Sequence, residues 1–197
     1  MKTLCFVTRC HPKRPIMRAR CVESVESQTC DDYTHLLLRD DKTTHGYGVT
    51  GANKALHKVT DPDGRYVMVL DDDDLLVDDE FVDEFKAYVD ANNPDIVFFR
   101  GVVGVTLLPC DNAWQMRPIR ADIGSFCFAV SKEFWVKYIT SWGSSGGFPN
   151  MGDYSFIAKC YNNATKVYWM DKMVATTQRV SRGKAEPKPK EVKDESS

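Results

Sequence analysis

Tyr66-Val67-Met68-Val69-Leu70-Asp71-Asp72-Asp73-Asp74-Leu75-Leu76 is the stretch on which the fold turns. Its five leading apolar residues predict a strand over Tyr66 to Leu70, apolar on both faces and therefore central in a parallel sheet. The four aspartates that follow are fixed in place, because the strand before them is anchored. Like charges so close raise one another's free energy unless a cation or shifted pKa values offset them. Oxygen-rich clusters of this kind suit Mg2+ or Mn2+, commonly shared with substrate phosphates. The plainer reading is a solvated acidic turn.

Upstream, Thr3 to Thr8 reads as a buried strand, and Pro15 is placed to open a helix with Met17, Cys21, Val22 and Val25 on one face. Thr34 to Leu38 predicts a second strand, stopped by Arg39-Asp40-Asp41, and Gly51 to Lys58 a helix before the turn Asp61-Pro62-Asp63-Gly64. Downstream, Asp78 or Asp79 is expected to cap a helix whose inward face is Phe81, Val82, Phe85, Tyr88 and Val89, and Asp95 to Phe99 reads as a fourth strand. This alternation argues for βαβ units with right-handed crossovers. Ligands of open α/β sheets bind beyond the carboxyl ends of the strands. Three predicted strand ends bring polar groups there: Thr8-Arg9, Asp40-Asp41 and Asp71 to Asp74.

The second half is more mixed, with strands near 102–108 and 124–130, a helix from Ser131 to about Thr140 and a Gly/Ser-rich loop from Ser141 to Gly152. A helix near Asp153 to Tyr161 and strands near 166–178 complete it, and the polar, aromatic-free segment 183–197 reads as a disordered tail. With 197 residues and 43% hydrophobic content the chain fits one domain, residues 1–182, with one sizeable core. A net charge of −2 gives no electrostatic case for a nucleic-acid partner. Seven cysteines without a C-x-x-C pair suit a reducing compartment. The N-terminal apolar run is too short for a signal-peptide core and the longest later one is broken by Arg100, so a cytoplasmic protein without a transmembrane segment is expected.

The central strand and its acidic end resemble the strand and DxD motif of family 2 glycosyltransferases. Ser24-Val25-Glu26-Ser27-Gln28-Thr29 is similar to that family's S-x-x-x-Q-T helix end, and His35 to Asp41 to its second strand with an acidic pair. Gly51-Ala52-Asn53-Lys54, then Gly64-Arg65-Tyr66, resembles the a-R-N-x-G and G-e-Y segments, and Met151-Gly152-Asp153 the G-E-D motif. The matches run in the family's order from about residue 3 to about residue 180. The resemblance implies an α/β, Rossmann-like GT-A domain with a mostly parallel central sheet flanked by helices. Residues 1–100 would form its nucleotide-sugar-binding half and 101–182 a smaller, mixed acceptor-side half.

It also implies a metal-dependent, inverting transfer of sugar from a nucleotide-sugar donor, with uracil the family's habit, to a glycan, lipid-linked or other hydroxyl acceptor. Thr8 and Arg9 would line the base pocket, Asp40 or Asp41 would accept from the base, and Asn53 and Lys54 would border the nucleotide and phosphates. Asp71 and Asp72 would lie near the ribose and the metal's water shell. Asp73 would ligate Mn2+ or Mg2+, with Asp71 beside it, and Asp153 would be the general base. Ala52 stands where the family has Arg, Gly152 where it has Glu, and Thr177-Gln178-Arg179 where many relatives carry a histidine.

Other readings stay open. Asp153 also suits a helix cap, and Trp142 suits either packing or a sugar-stacking lid. The strand-D-x-D and Gly152-Asp153 also fit a haloacid-dehalogenase-type phosphohydrolase, although its nucleophile strand normally opens the core. A domain that binds nucleotide sugar without turnover is the third reading.

Overall fold

The structure, a computed structural model, describes residues 1–39, 49–143 and 152–178, with only the backbone of 49–52. The expected base-binding pair Asp40 and Asp41, residues 144–151 of the Gly/Ser-rich loop, and the tail lie outside the described residues. The first half runs β1 (Leu4–Cys10), α1 (Pro15–Glu26), β2 (Tyr33–Arg39), α2 (Val49–Leu56), β3 (Tyr66–Val69), β4 (Asp74–Leu76), α3 (Phe81–Asn92) and β5 (Ile96–Val103). β6 (Thr106–Leu108), β7 (Phe128–Ser131), α4 (Lys132–Tyr138), α5 (Gly152–Tyr161) and β8 (Val167–Thr177) follow.

Eight strands form one sheet in the order β2-β1-β3-β7-β5-β8-β4, with β6 beside β5. β1 pairs parallel with β2 and β3, and β8 with β5, whereas β7 is antiparallel to both β3 and β5. The pairings therefore make a mixed sheet, in which β1, β2, β3, β5 and β8 still share one direction. The second half is threaded through the first, because β7 lies between β3 and β5 and β8 between β5 and β4.

β4 is a strand that the sequence reading did not expect. Asp74 pairs with Thr177 at the far end of β8, four places across the sheet from β3. Flat, those places would span about 19 Å, more than the four residues between β3 and β4 reach comfortably. The sheet curls instead, helped by register shifts between Phe98 and Gly101 on β5. The acidic run is the bridge across the mouth of that curl.

The strands cohere because their apolar residues are shut in: β3 is buried along its length, and α3 sends Phe81, Val82, Phe85 and Val89 into the same core. Phe81 meets Phe99 edge-on at 5.2 Å and Phe85 meets Tyr66 at 5.4 Å, geometry that aromatic quadrupoles favour. Neither Asp78 nor Asp79 caps α3; its N-cap is Glu80, and Asp78 accepts from the Glu80 N–H at 2.9 Å and pairs with Lys172. Five cysteines are buried and none of the seven is in a disulfide; burial raises the thiol pKa of Cys5, Cys10, Cys21, Cys127 and Cys160. No helix among the described residues is long and apolar enough to cross a membrane.

Candidate functional site

The site begins where β1 and β3 end side by side, because the register that pairs Val7 with Val69 sets Arg9 level with Asp71. Arg9 Nε donates to Asp71 Oδ1 at 2.6 Å and Nη2 to Asp71 Oδ2, a bidentate pair. Nη1 donates to Asn53 Oδ1 at 2.8 Å, and the guanidinium carbon stands 5.6 Å from the Trp142 ring centre. Burial pulls the Arg9 pKa down, but Asp71, with Asp153 and Asp74 behind it, carries it above its ordinary value. Arg9 thus feels both the acidic run and the residue expected to be the base.

The backbone of the acidic run is tied down at successive carbonyls. Cys21 Sγ donates to Asp71 O at 3.4 Å, Gln178 Nε2 to Asp72 O at 3.4 Å and Gln178 N to Asp73 O at 2.6 Å. Gln178 Nε2 also donates to Met17 O at 2.9 Å, so this one side chain clamps α1 to the run. Its Oε1 is buried without a hydrogen-bond partner.

From that frame three of the four carboxylates gather and one turns away. Asp71, Asp73 and Asp74 each place a carboxylate oxygen within 4.8 Å of the others. Three converging hard oxygens fit a divalent cation. Asp74 is 4% exposed and its carboxyl is pushed well above the usual carboxylate range, first by burial and then by the charges of Asp71 and Asp73. A proton or a cation would offset that repulsion. Asp72 turns the other way: it is 1% exposed, accepts from the His11 N–H and pairs with Arg14 at 3.3 Å. Burial raises its pKa to about 6, against the pull of His11 and Arg14. Asp72 therefore fastens the loop after β1, and Asp74 joins Asp71 and Asp73 in the carboxylate cluster.

Thr8, Asn53 and Lys54 differ in burial. Thr8 is fully buried, its hydroxyl 2.8 Å from His35 Nε2 on β2 and 3.9 Å from Cys21 Sγ on α1. Lys54 is exposed whereas Asn53 is buried, since neighbours on a helix point about 100° apart. The cation that donates to Asn53 is Arg9.

Asp153 sits in the first turn of α5 rather than at its N-cap, and its Oδ1 accepts from the Tyr154 N–H at 2.8 Å. Gly152 just before it has no room for a side chain: a Cβ there would lie 2.5 Å from Trp142 Cδ1 and 3.0 Å from Asn53 Nδ2. Trp142 is 1% exposed, packed on Phe156 at 5.0 Å and Phe128 at 6.2 Å. Its ring is packing and offers no face to a sugar. It joins Asn53, Gly152 and Arg9 into one junction, so the base candidate and the acidic run share a foundation.

Sequence reasoning left the register within Asp71–Asp74 open by one residue and missed Arg14. Asp74 was inside the run, but only its pairing with Thr177 selects it over Asp72. Arg14 carried a faint signal, a charged residue directly before the Pro15 that opens α1.

No family model matches the sequence, and no curated protein matches it. Among solved structures the chain is similar to S. aureus TarS 1–349 in complex with UDP-GlcNAc, with TM-score 0.67 and 16% identity over 94% of this chain. The chain spans 60% of the length of that structure. It is also similar to a glycosyltransferase involved in glycosylation of the major capsid of PBCV-1, with TM-score 0.54 and 10% identity over 91% of this chain and 95% of that one. At these identities the likeness is one of fold: the curled mixed sheet and its helices are those of GT-A-like glycosyltransferases.

Proposed function

We propose, with that shared fold as the premise, that the chain transfers a sugar from a nucleotide-sugar donor to a hydroxyl acceptor. The observation that carries this reading is the convergence of Asp71, Asp73 and Asp74 on one point, in reach of Arg9, Asn53 and the charge of Asp153. The solved relative in complex with UDP-GlcNAc supports a UDP-sugar as donor.

Asp71, Asp73 and Asp74 would hold Mn2+ or Mg2+, which would supply Lewis-acid neutralisation of a leaving diphosphate. The chain's own residues do the rest. The Arg9 guanidinium, fixed by Asp71 and Asn53, keeps positive charge facing the place where diphosphate charge develops, at little reorganisation cost. Asp153, on a helix seated against Trp142, accepts the proton of the acceptor hydroxyl as its oxygen attacks the anomeric carbon from the face opposite the diphosphate. One displacement with one base inverts the anomeric centre. The helices α4 and α5 and the strands beside them would seat the acceptor.

The test is nucleoside diphosphate release from a panel of nucleotide sugars with Mn2+, read beside thermal shift. Release is expected with one donor and is lost in Asp73→Ala. Asp153→Asn should lower turnover by a factor of about 10² to 10⁴ while leaving donor affinity within about twofold of native, because the base meets the acceptor. Stabilisation by the donor without release would leave only a binding domain. Hydrolysis of a simple phosphate ester with no response to any nucleotide sugar would replace this reading by the phosphohydrolase one.

A further inference from the structure

The two arginines of the site are held in different ways. Arg9 is committed on three nitrogens, two to Asp71 and one to Asn53. Arg14 reaches its acids through one nitrogen: Nη1 lies 2.8 Å from Asp73 Oδ2 and 3.3 Å from Asp72 Oδ1. Its side chain is 17% exposed, and Asp73, one of the three converging carboxylates, is 15% exposed. Its backbone is set independently, at the N-cap of α1, with its N–H donating to His11 O at 3.1 Å and its carbonyl accepting from Arg18 N at 3.0 Å. The guanidinium is therefore free to change partners without moving the helix.

A cation on Asp73 has Arg14's positive charge for a neighbour. Like charges at contact distance disfavour one another strongly where water is largely excluded. A diphosphate reverses that sign, since it takes a guanidinium in the two-pronged geometry that a single-nitrogen contact to Asp73 does not use.

We propose that Arg14 couples cation to donor: it holds Asp73 against a divalent cation that arrives alone, and moves to the diphosphate when cation and nucleotide arrive together. The inference rests on the cation site of the proposed function and deepens it. Arg14 is thereby a donor-binding residue, and cation affinity becomes conditional on nucleotide. Coupling is reciprocal, so nucleotide affinity is conditional on the cation by the same factor.

The test is Mn2+ binding by calorimetry and by the electron paramagnetic resonance of free Mn2+, on the full chain, with and without UDP. Native protein, Arg14→Gln, Arg14→Lys and Asp73→Asn are compared, each first shown to melt cooperatively. Arg14→Gln should bind Mn2+ alone about tenfold tighter than native, and UDP in the presence of Mn2+ about tenfold weaker, within the usual range of coupling factors. Arg14→Lys, which keeps the charge, should bind Mn2+ alone as native does. Mn2+ affinity that is unchanged or weaker in Arg14→Gln overturns the proposal, because Arg14 then merely orients Asp73. That outcome leaves the proposed function standing if native protein binds Mn2+ with UDP and Asp73→Asn does not. Absence of Mn2+ binding in native protein, even with UDP, overturns the cation site itself and the coupling with it.

Discussion

His35 shows how far one half-buried side chain makes the β1–β2 edge of the sheet depend on pH. It lies edge-on to Phe6 and within 2.8 Å of Thr8 Oγ1, and burial lowers its pKa from 6.5 to about 4. The unfolded chain therefore takes up a proton that the folded chain refuses between those two values. The stability His35 allows is full above pH 6.5 and is lost as pH falls toward 4. Allowing for its partial exposure, the loss is about 2 kcal/mol. Urea unfolding at pH 7 and pH 4.5 should show native protein losing about that much more than His35→Gln. Equal losses would place the acid sensitivity elsewhere. None of this was legible from the sequence, where His35 was one apolar-strand residue among neighbours and only its register opposite Phe6 buries it.

At the scale of elements, β3 and its acidic end were legible because five apolar residues and four carboxylates in succession have few other ways to fold. The helices were legible too, since Pro15 and the apolar spacing of Phe81, Val82, Phe85 and Val89 state the period outright. β4 was not: Asp74-Leu75-Leu76 is a strand only because β8 runs past it, a contact with residues a hundred positions on. The departure at Gly152 likewise has a tertiary cause, the Trp142 indole occupying the place of a side chain. Helix propensity alone favours Ala over Gly at such a position by about 1 kcal/mol. Overpacking against a buried indole outweighs it, so Gly152→Ala should destabilise by about 1–3 kcal/mol. Combination with Trp142→Leu should remove most of that increment, measured as non-additivity in denaturant midpoints. Strict additivity would show that Trp142 is not the obstacle.

Over the whole molecule, the sequence suggested a donor half followed by an acceptor half, and the sheet interleaves them. β7 hydrogen-bonds to β3 on one side and β5 on the other, so neither half has a complete sheet alone. All four tryptophans lie between residues 114 and 169, whereas both flanking strands of β1 belong to the first half. Tryptophan emission therefore reports the second half, and far-UV circular dichroism the whole chain. Their urea transitions should coincide within error, as one cooperative unit requires. Transitions that separate would mean two bodies sharing a seam.

The five thiols sealed in the core give that cooperativity a built-in chemical clock. Each is protonated and walled off while its neighbourhood is closed, and becomes an ordinary nucleophile only when that neighbourhood opens. Cys21 reports the α1 side of the acidic run, Cys127 the entry to β7 and Cys160 the far turn of α5. The rate at which an alkylating reagent tags each one is thus a local breathing rate, addressed to a known position without any label having to be introduced.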